Sequence, residues 1–162
     1  MAAITRRDIP YDVEQEMNSI LGQPCCRQSV GNDLSLFLGF GGIVSVKNPR
    51  GETLHGKWEI GSYRSAWRII HNHSIICGSR ELIDSVDELR QQLVKLDGVN
   101  CIKIGMLTEF DVRVVFDREL CVDFLGAFGD DDEVFHAFLP QDRVVSLSLQ
   151  GGWVSQVASQ PS

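Results

Sequence analysis

Three groups of side chains in this sequence are of types that could do chemistry. Asp130, Asp131, Asp132 and Glu133 are contiguous carboxylates. They repel one another, so they require water, a cation or a basic partner. Calcium loops space their acids alternately, which argues against a dedicated metal site. A solvated loop and a surface that steers a basic protein remain. These four residues are the candidate partner-binding group.

His71 and His73 form the second group. On a strand, a spacing of two puts both imidazoles on one face, which a metal could use. A zinc site needs three or four ligands, and no spacing ties His55, His136, Cys77 or Cys101 to the pair. Solvated histidines at a hairpin tip are the expectation, and no metal site is assigned.

The third group is the five cysteines, Cys25, Cys26, Cys77, Cys101 and Cys121. An odd number without Cys-x-x-Cys argues against a disulfide-stapled secreted domain. Cys101 and Cys121 lie in or beside expected strands and read as small core residues. Cys25 and Cys26 fall in an expected loop, where thiols are most accessible. A cysteine–histidine dyad is recognised by geometry, which spacing does not supply. Asp111 and Asp123 point outward in the alternation and read as ordinary solvated carboxylates.

Gly39-Phe40-Gly41-Gly42 looks like a phosphate-cradling loop, but strand residues follow it instead of a helix, and no Gly-Lys-Ser/Thr is present. Glycines at a bend or bulge fit better. Gly-x-Ser-x-Gly, His-Glu-x-x-His and calcium-loop spacings are missing too. No catalytic residue and no cofactor is assigned.

Mostly strands must position these residues. Leu34, Leu36 and Leu38 alternate with Ser35 and Phe37. Ile43, Val44, Ser45 and Val46 suggest another strand, and Asn48-Pro49-Arg50-Gly51 is a turn. Strand resumes over 53–60. Residues 66–70 and 74–77 read as a hairpin around His71-Asn72-His73. Short alternating strands then fill 101–149, with Phe110, Val112, Val114 and Phe116 the strictest, then Leu120, Val122 and Phe124. The last runs over 143–149. Trp67 reads as core, and Trp58 and Trp153 as core or interface anchors.

Two helices are predicted. Pro10 opens a short one over 10–21, with Val13, Met17, Ile20 and Leu21 on one face and Gly22 and Pro24 as stops. The main helix covers 85–97. Ser85 and Glu88 make a capping box, Val86, Leu89, Leu93 and Leu96 a helical stripe, and Gly98 the stop.

The expected fold class is α+β. A mainly antiparallel, strongly bent sheet of seven to nine strands carries the main helix packed on it. The 162 residues suggest one domain over 1–162, with 10–153 ordered and both ends loose. The apolar fraction of 43% suffices for a core. The formal charge of -7 argues against nucleic acid and anionic membranes as partners and favours basic proteins. No apolar run is long enough to span a membrane, and the N-terminus lacks a signal-peptide core, so the cytoplasm is the expected compartment.

Val30-Gly31-Asn32-Asp33-Leu34-Ser35-Leu36, Ala66-Trp67-Arg68-Ile69 and Phe110-Asp111-Val112-Arg113-Val114-Val115-Phe116-Asp117 together resemble small bacterial α+β proteins of the toxin-immunity type. These are encoded beside polymorphic or contact-dependent growth inhibition toxins. The resemblance spans residues 28–153 and rests on structural signatures. It implies a non-enzymatic protein that binds one cognate toxin C-terminal domain, a basic nuclease for example, and covers its active site. It carries over no binding residue. Two alternatives stand beside it. One is a small hydrolase-like enzyme whose pocket involves His71, His73 or Cys77. The other is a module that self-associates through exposed strand edges.

Overall fold

In a computed structural model of the chain, residues 9–31, 34–63, 65–79, 86–126 and 133–158 are described. Expectations for residues 1–8, the Ser85 cap, Asp130, Asp131, Asp132 and the tail beyond residue 158 lie outside them.

Pro10 precedes α1 (Tyr11–Met17), which tightens into a 3-10 turn over Asn18–Ile20 and stops at Gly22, where φ is +84°. Val13, Met17 and Ile20 are buried, as the predicted face requires. The first strands are β1 (Cys25–Val30), β2 (Leu36–Asn48) and β3 (Gly51–Ser62). They are followed by β4 (Ala66–His71) and β5 (Ser74–Gly78). The second helix, α2 (Val86–Leu93), ends in a 3-10 turn over Val94–Leu96. The remaining strands are β6 (Cys101–Thr108), β7 (Asp111–Phe116) and β8 (Leu120–Leu125), then β9 (Glu133–Leu139), β10 (Arg143–Ser148) and β11 (Gly152–Val157).

The α+β expectation is met only coarsely. Among the described residues eleven strands form two sheets, where one bent sheet of seven to nine strands was expected. One sheet runs β1-β2-β3-β9-β10-β11 and the other β5-β4-β8-β7-β6. Each pairing is antiparallel. The chain leaves the first sheet after Ser62 and returns at Glu133, whose carbonyl accepts a hydrogen bond from Ser65 Oγ at 2.8 Å. Both helices are short. α1 lies against β9 and β11, and α2 against β1 and β5.

The core lies between the sheets. Leu36, Leu38, Phe40, Ile60, Phe135 and Ala137 face Trp67, Ile69, Val112, Val114, Val122 and Phe124. Phe40 stacks on Phe116 at 5.9 Å, and Phe124 meets Phe135 edge-on at 5.3 Å. These ring contacts join the layers beyond the area they bury. The two outer faces therefore point away from each other. Among the described residues, no helix is long and apolar enough to cross a membrane.

Candidate functional site

The candidate site is the outer face of the six-stranded sheet. Cross-strand register places Ser29, Phe37, Gly61, His136 and Ser146 in one row and Arg27, Gly39, Glu59, Phe138 and Val144 in the next. Glycines inside strands mark close approaches of chain, and both rows contain one. At Gly39 an added Cβ would lie 2.9 Å from Gly56 N and 3.1 Å from Arg27 Cβ. The outer half of the β2–β3 hairpin thus presses onto the sheet at Gly39 and Gly56. A bulge between Phe40 and Ile43 supplies the bend, with Gly41 and Gly42 at φ +79° and +109°. The predicted glycine bend is therefore real, although β2 runs through it as one strand.

The bent arm and the sheet face enclose an open groove of about 550 Å³. Val44, Val46 and His55 line it from the arm, and Phe37, Tyr63 and Phe138 from the sheet. On the groove side of the arm Val46 is 46% exposed, while Ile43 and Leu54, 55% and 51% exposed, lie on the arm's other side. An arm with exposed apolar side chains, Val46 among them in the hollow, is a surface that gains by being covered.

The buried carboxylate of the groove is already partnered. Glu59 is buried, and Arg27 Nη1 donates to its Oε1 at 2.6 Å. Its Oε2 meets His55 Nδ1 at 2.8 Å. His55 Nε2 lies 3.0 Å from Thr53 Oγ1. Hydroxyl, imidazole and carboxylate thus stand in the order of an acyl-transfer relay, but Thr53 is exposed on the arm and does not line the groove.

One end of the groove is aromatic, with a carboxylate beside it. The Tyr63 ring stacks on His136 with centroids 4.8 Å apart, and Phe37 and Phe138 meet the same imidazole at 5.8 and 4.9 Å. His136 is 1% exposed. Its Nδ1 pairs with the Glu133 carboxylate, and its Nε2 is buried without a hydrogen-bond partner among the described residues. Burial pushes the Tyr63 phenol above its usual range, and the Glu133 and Glu59 carboxylates push it further. Of the four predicted partner-binding residues, Glu133 therefore acts on the groove residue Tyr63 from beside the groove, tied to His136. Asp130, Asp131 and Asp132 precede it in sequence and lie outside the described residues.

The other candidates are dispersed. His71 and His73 are exposed at the β4–β5 turn, where Asn72 and His73 have φ +53° and +69°. His55 is on β3 and His136 on β9, and no group of three or more metal-ligating side chains forms among the described residues. The loop expected at Cys25-Cys26 is strand β1. Cys25 is buried, not accessible, because its N–H bonds Val99 O at 2.7 Å and draws it under the sheet. Burial raises the Cys25 thiol to about 11 and the Cys101 thiol to about 12. Both are therefore thiols, not nucleophilic thiolates, near neutrality. Trp67 is core and donates Nε1–H to Leu34 O at 2.7 Å, and Trp58 donates to Ser19 Oγ at 2.9 Å. Trp153 is half-buried against Phe135.

Sequence reasoning missed Arg27, Glu59 and Tyr63. Alternation around Ile60 places Glu59 outward, which alone predicts solvation. The usable signal was the glycines at 39, 56 and 61, spaced through strands. No protein-family model, no curated protein and no solved structure matches the chain.

Proposed function

We propose that this chain is an immunity protein, which binds the C-terminal domain of a cognate bacterial toxin and blocks it by covering its active site. The groove under the β2–β3 arm is the observation that carries the reading. It joins the aliphatic Val44 and Val46, aromatic anchors at Phe37, Tyr63 and Phe138, and a buried Glu59 carboxylate held by Arg27 and His55. Interfaces draw their energy from aromatic anchors in desolvated hollows, with a polar rim around them. The net charge of -7 and the Glu133 carboxylate beside the groove favour a basic partner such as a nuclease domain, whose approach they would accelerate. The neutral Cys25 and Cys101 thiols support a role without cysteine nucleophiles.

The test begins with the neighbouring gene. A large secreted protein with a variable C-terminal domain is expected there. Co-expression of this chain should rescue cells from that domain, and the two should co-purify. Failure of both would remove the reading.

A second reading, a small hydrolase, has the Thr53–His55–Glu59 relay in its favour. It requires that His55→Ala abolish turnover of a simple ester such as p-nitrophenyl acetate. Equal rates with and without His55 would eliminate it.

A further inference from the structure

The outer face of the five-stranded sheet carries a second constellation, and the argument from it does not depend on the reading above. Gly78, Arg68, Asp123, Arg113 and Gly105 form one row across its five strands. Asp123, expected to be solvated, has no exposed surface. It accepts from Arg68 Nε at 2.8 Å, Arg113 Nε at 2.6 Å and Arg113 Nη2 at 2.9 Å. A buried carboxylate is tolerable only with such charge-assisted bonds.

One carboxylate between two guanidiniums leaves one positive charge over. Arg68 Nη1 and Nη2 and Arg113 Nη1 have no acceptor among the described residues, and the two side chains are 37% and 34% exposed. Glycines at both ends of the row put no side chain over them. Lys103 stands in the adjacent row, level with Val115. Of the described acids nearby, Asp111 is occupied, since Thr108 Oγ1 and Gly126 N donate to it at 2.7 and 2.8 Å, and Glu119 lines the hollow beside Arg113. Two hollows of about 300 and 290 Å³ flank the row, an apolar one beside Ile75 and Leu125 and a mixed one where Ile70 and Val115 join His73 and Glu119.

We propose that this face docks an acidic segment of a partner protein, whose Asp or Glu carboxylates close the open N–H groups of Arg68 and Arg113. The guanidinium fork matches a carboxylate bidentately, and on the Arg68 side the apolar wall of Ile75 and Leu125 limits competing water. Asp123 fixes both forks in advance, so little side-chain entropy is lost on binding. A long polyanion such as nucleic acid would meet the whole charge of -7. A short peptide feels mainly the local field, because salt screens beyond about 8 Å.

The test titrates the full chain with hexaglutamate and follows the Arg68 and Arg113 Nε–H signals by NMR. Both should shift saturably. Arg68→Gln should weaken binding by about tenfold, and Arg113 still holds Asp123 in that variant, so it should remain folded. Absence of a saturable shift in the wild-type chain would overturn the proposal, as would equal affinity in Arg68→Gln. Equal shifts from inorganic phosphate at the same concentration would overturn the peptide assignment. A doubling of solution mass without peptide, reversed by hexaglutamate, would assign the face to a second copy of this chain instead.

Discussion

Arg27 and Glu59 lie on strands that share no hydrogen-bond ladder, yet Arg27 Nη1 reaches Glu59 Oε1 at 2.6 Å across the bare Cα of Gly39. Strand β2 lies between them, and a side chain at position 39 would fill the path. The same missing Cβ admits the backbone of Gly56. One glycine thus permits both the buried ion pair and the bend that makes the groove.

Gly39→Ala should therefore lower stability by about 1–3 kcal/mol, the usual cost of overpacking. Its Cβ would meet backbone at 2.9 Å, which cannot swing aside like a side chain. Thermal unfolding would read this as a drop in Tm of several degrees. An unchanged Tm would mean that the arm does not press on the sheet there.

Acid should weaken the fold through Asp117. Asn100 Nδ2 donates to its Oδ2 at 2.9 Å and Asn100 N to its Oδ1 at 3.0 Å. The side-chain bond first, then the backbone bond, hold its carboxyl below the ordinary 3.8. A depressed carboxyl stabilises fully above its unfolded value and loses that contribution as pH falls through the folded one. Asp117→Asn should flatten the stability loss below pH 3.8 in urea unfolding measured over a pH series. Identical pH profiles for the two proteins would refute this.

Thiol chemistry should follow burial. Near neutrality, iodoacetamide should label half-buried Cys26 well before Cys25 and Cys101, as read by peptide mass spectrometry. The raised values have a second consequence. A thiol kept neutral by burial contributes fully below its ordinary 9.0 and loses that contribution as pH rises through about 11 for Cys25 and about 12 for Cys101. Stability should accordingly decline on the alkaline side from pH 9 upward. Cys101 labelling as fast as Cys26 would contradict the buried placement.

The strands that were legible are those with one dry face. Val112, Val114 and Phe116 alternate in sequence and are buried in turn, as are Val122 and Phe124. Three strands were not placed individually, β1, β9 and β11, and of these β1 and β11 are the opposite edges of a single sheet. Arg27, Gln28 and Ser29 in β1, and Ser155 and Gln156 in β11, are partly wet and carry no period-two signal. Alternation also assigns a face without naming the neighbour across it. It placed Asp123 outward, but only register brings Arg68, 55 residues away, onto its carboxylate. Division into two sheets was hidden for the same reason.

The acidic run makes a separable prediction. Replacing Asp130, Asp131, Asp132 and Glu133 with Ser or Asn should weaken toxin binding, chiefly through a slower association rate, without steepening its salt dependence. Glu133→Gln alone should also lower stability by about 1 kcal/mol, because it exchanges a charged partner of buried His136 for a neutral one. Surface plasmon resonance and denaturant unfolding distinguish the two effects. Association unchanged by all four replacements would remove the steering role.

The central claim is that the groove beneath the β2–β3 arm is the partner-binding face. Its most direct measurement is titration calorimetry of the cognate toxin domain against three variants that unfold like the wild type. Tyr63→Ala and Val46→Ser, which line the groove from the sheet and from the arm, should each lower affinity by about tenfold or more. Val157→Ser, exposed on the far β11 edge, should leave it unchanged. Full affinity in the first two variants, or a loss confined to the third, would contradict the account.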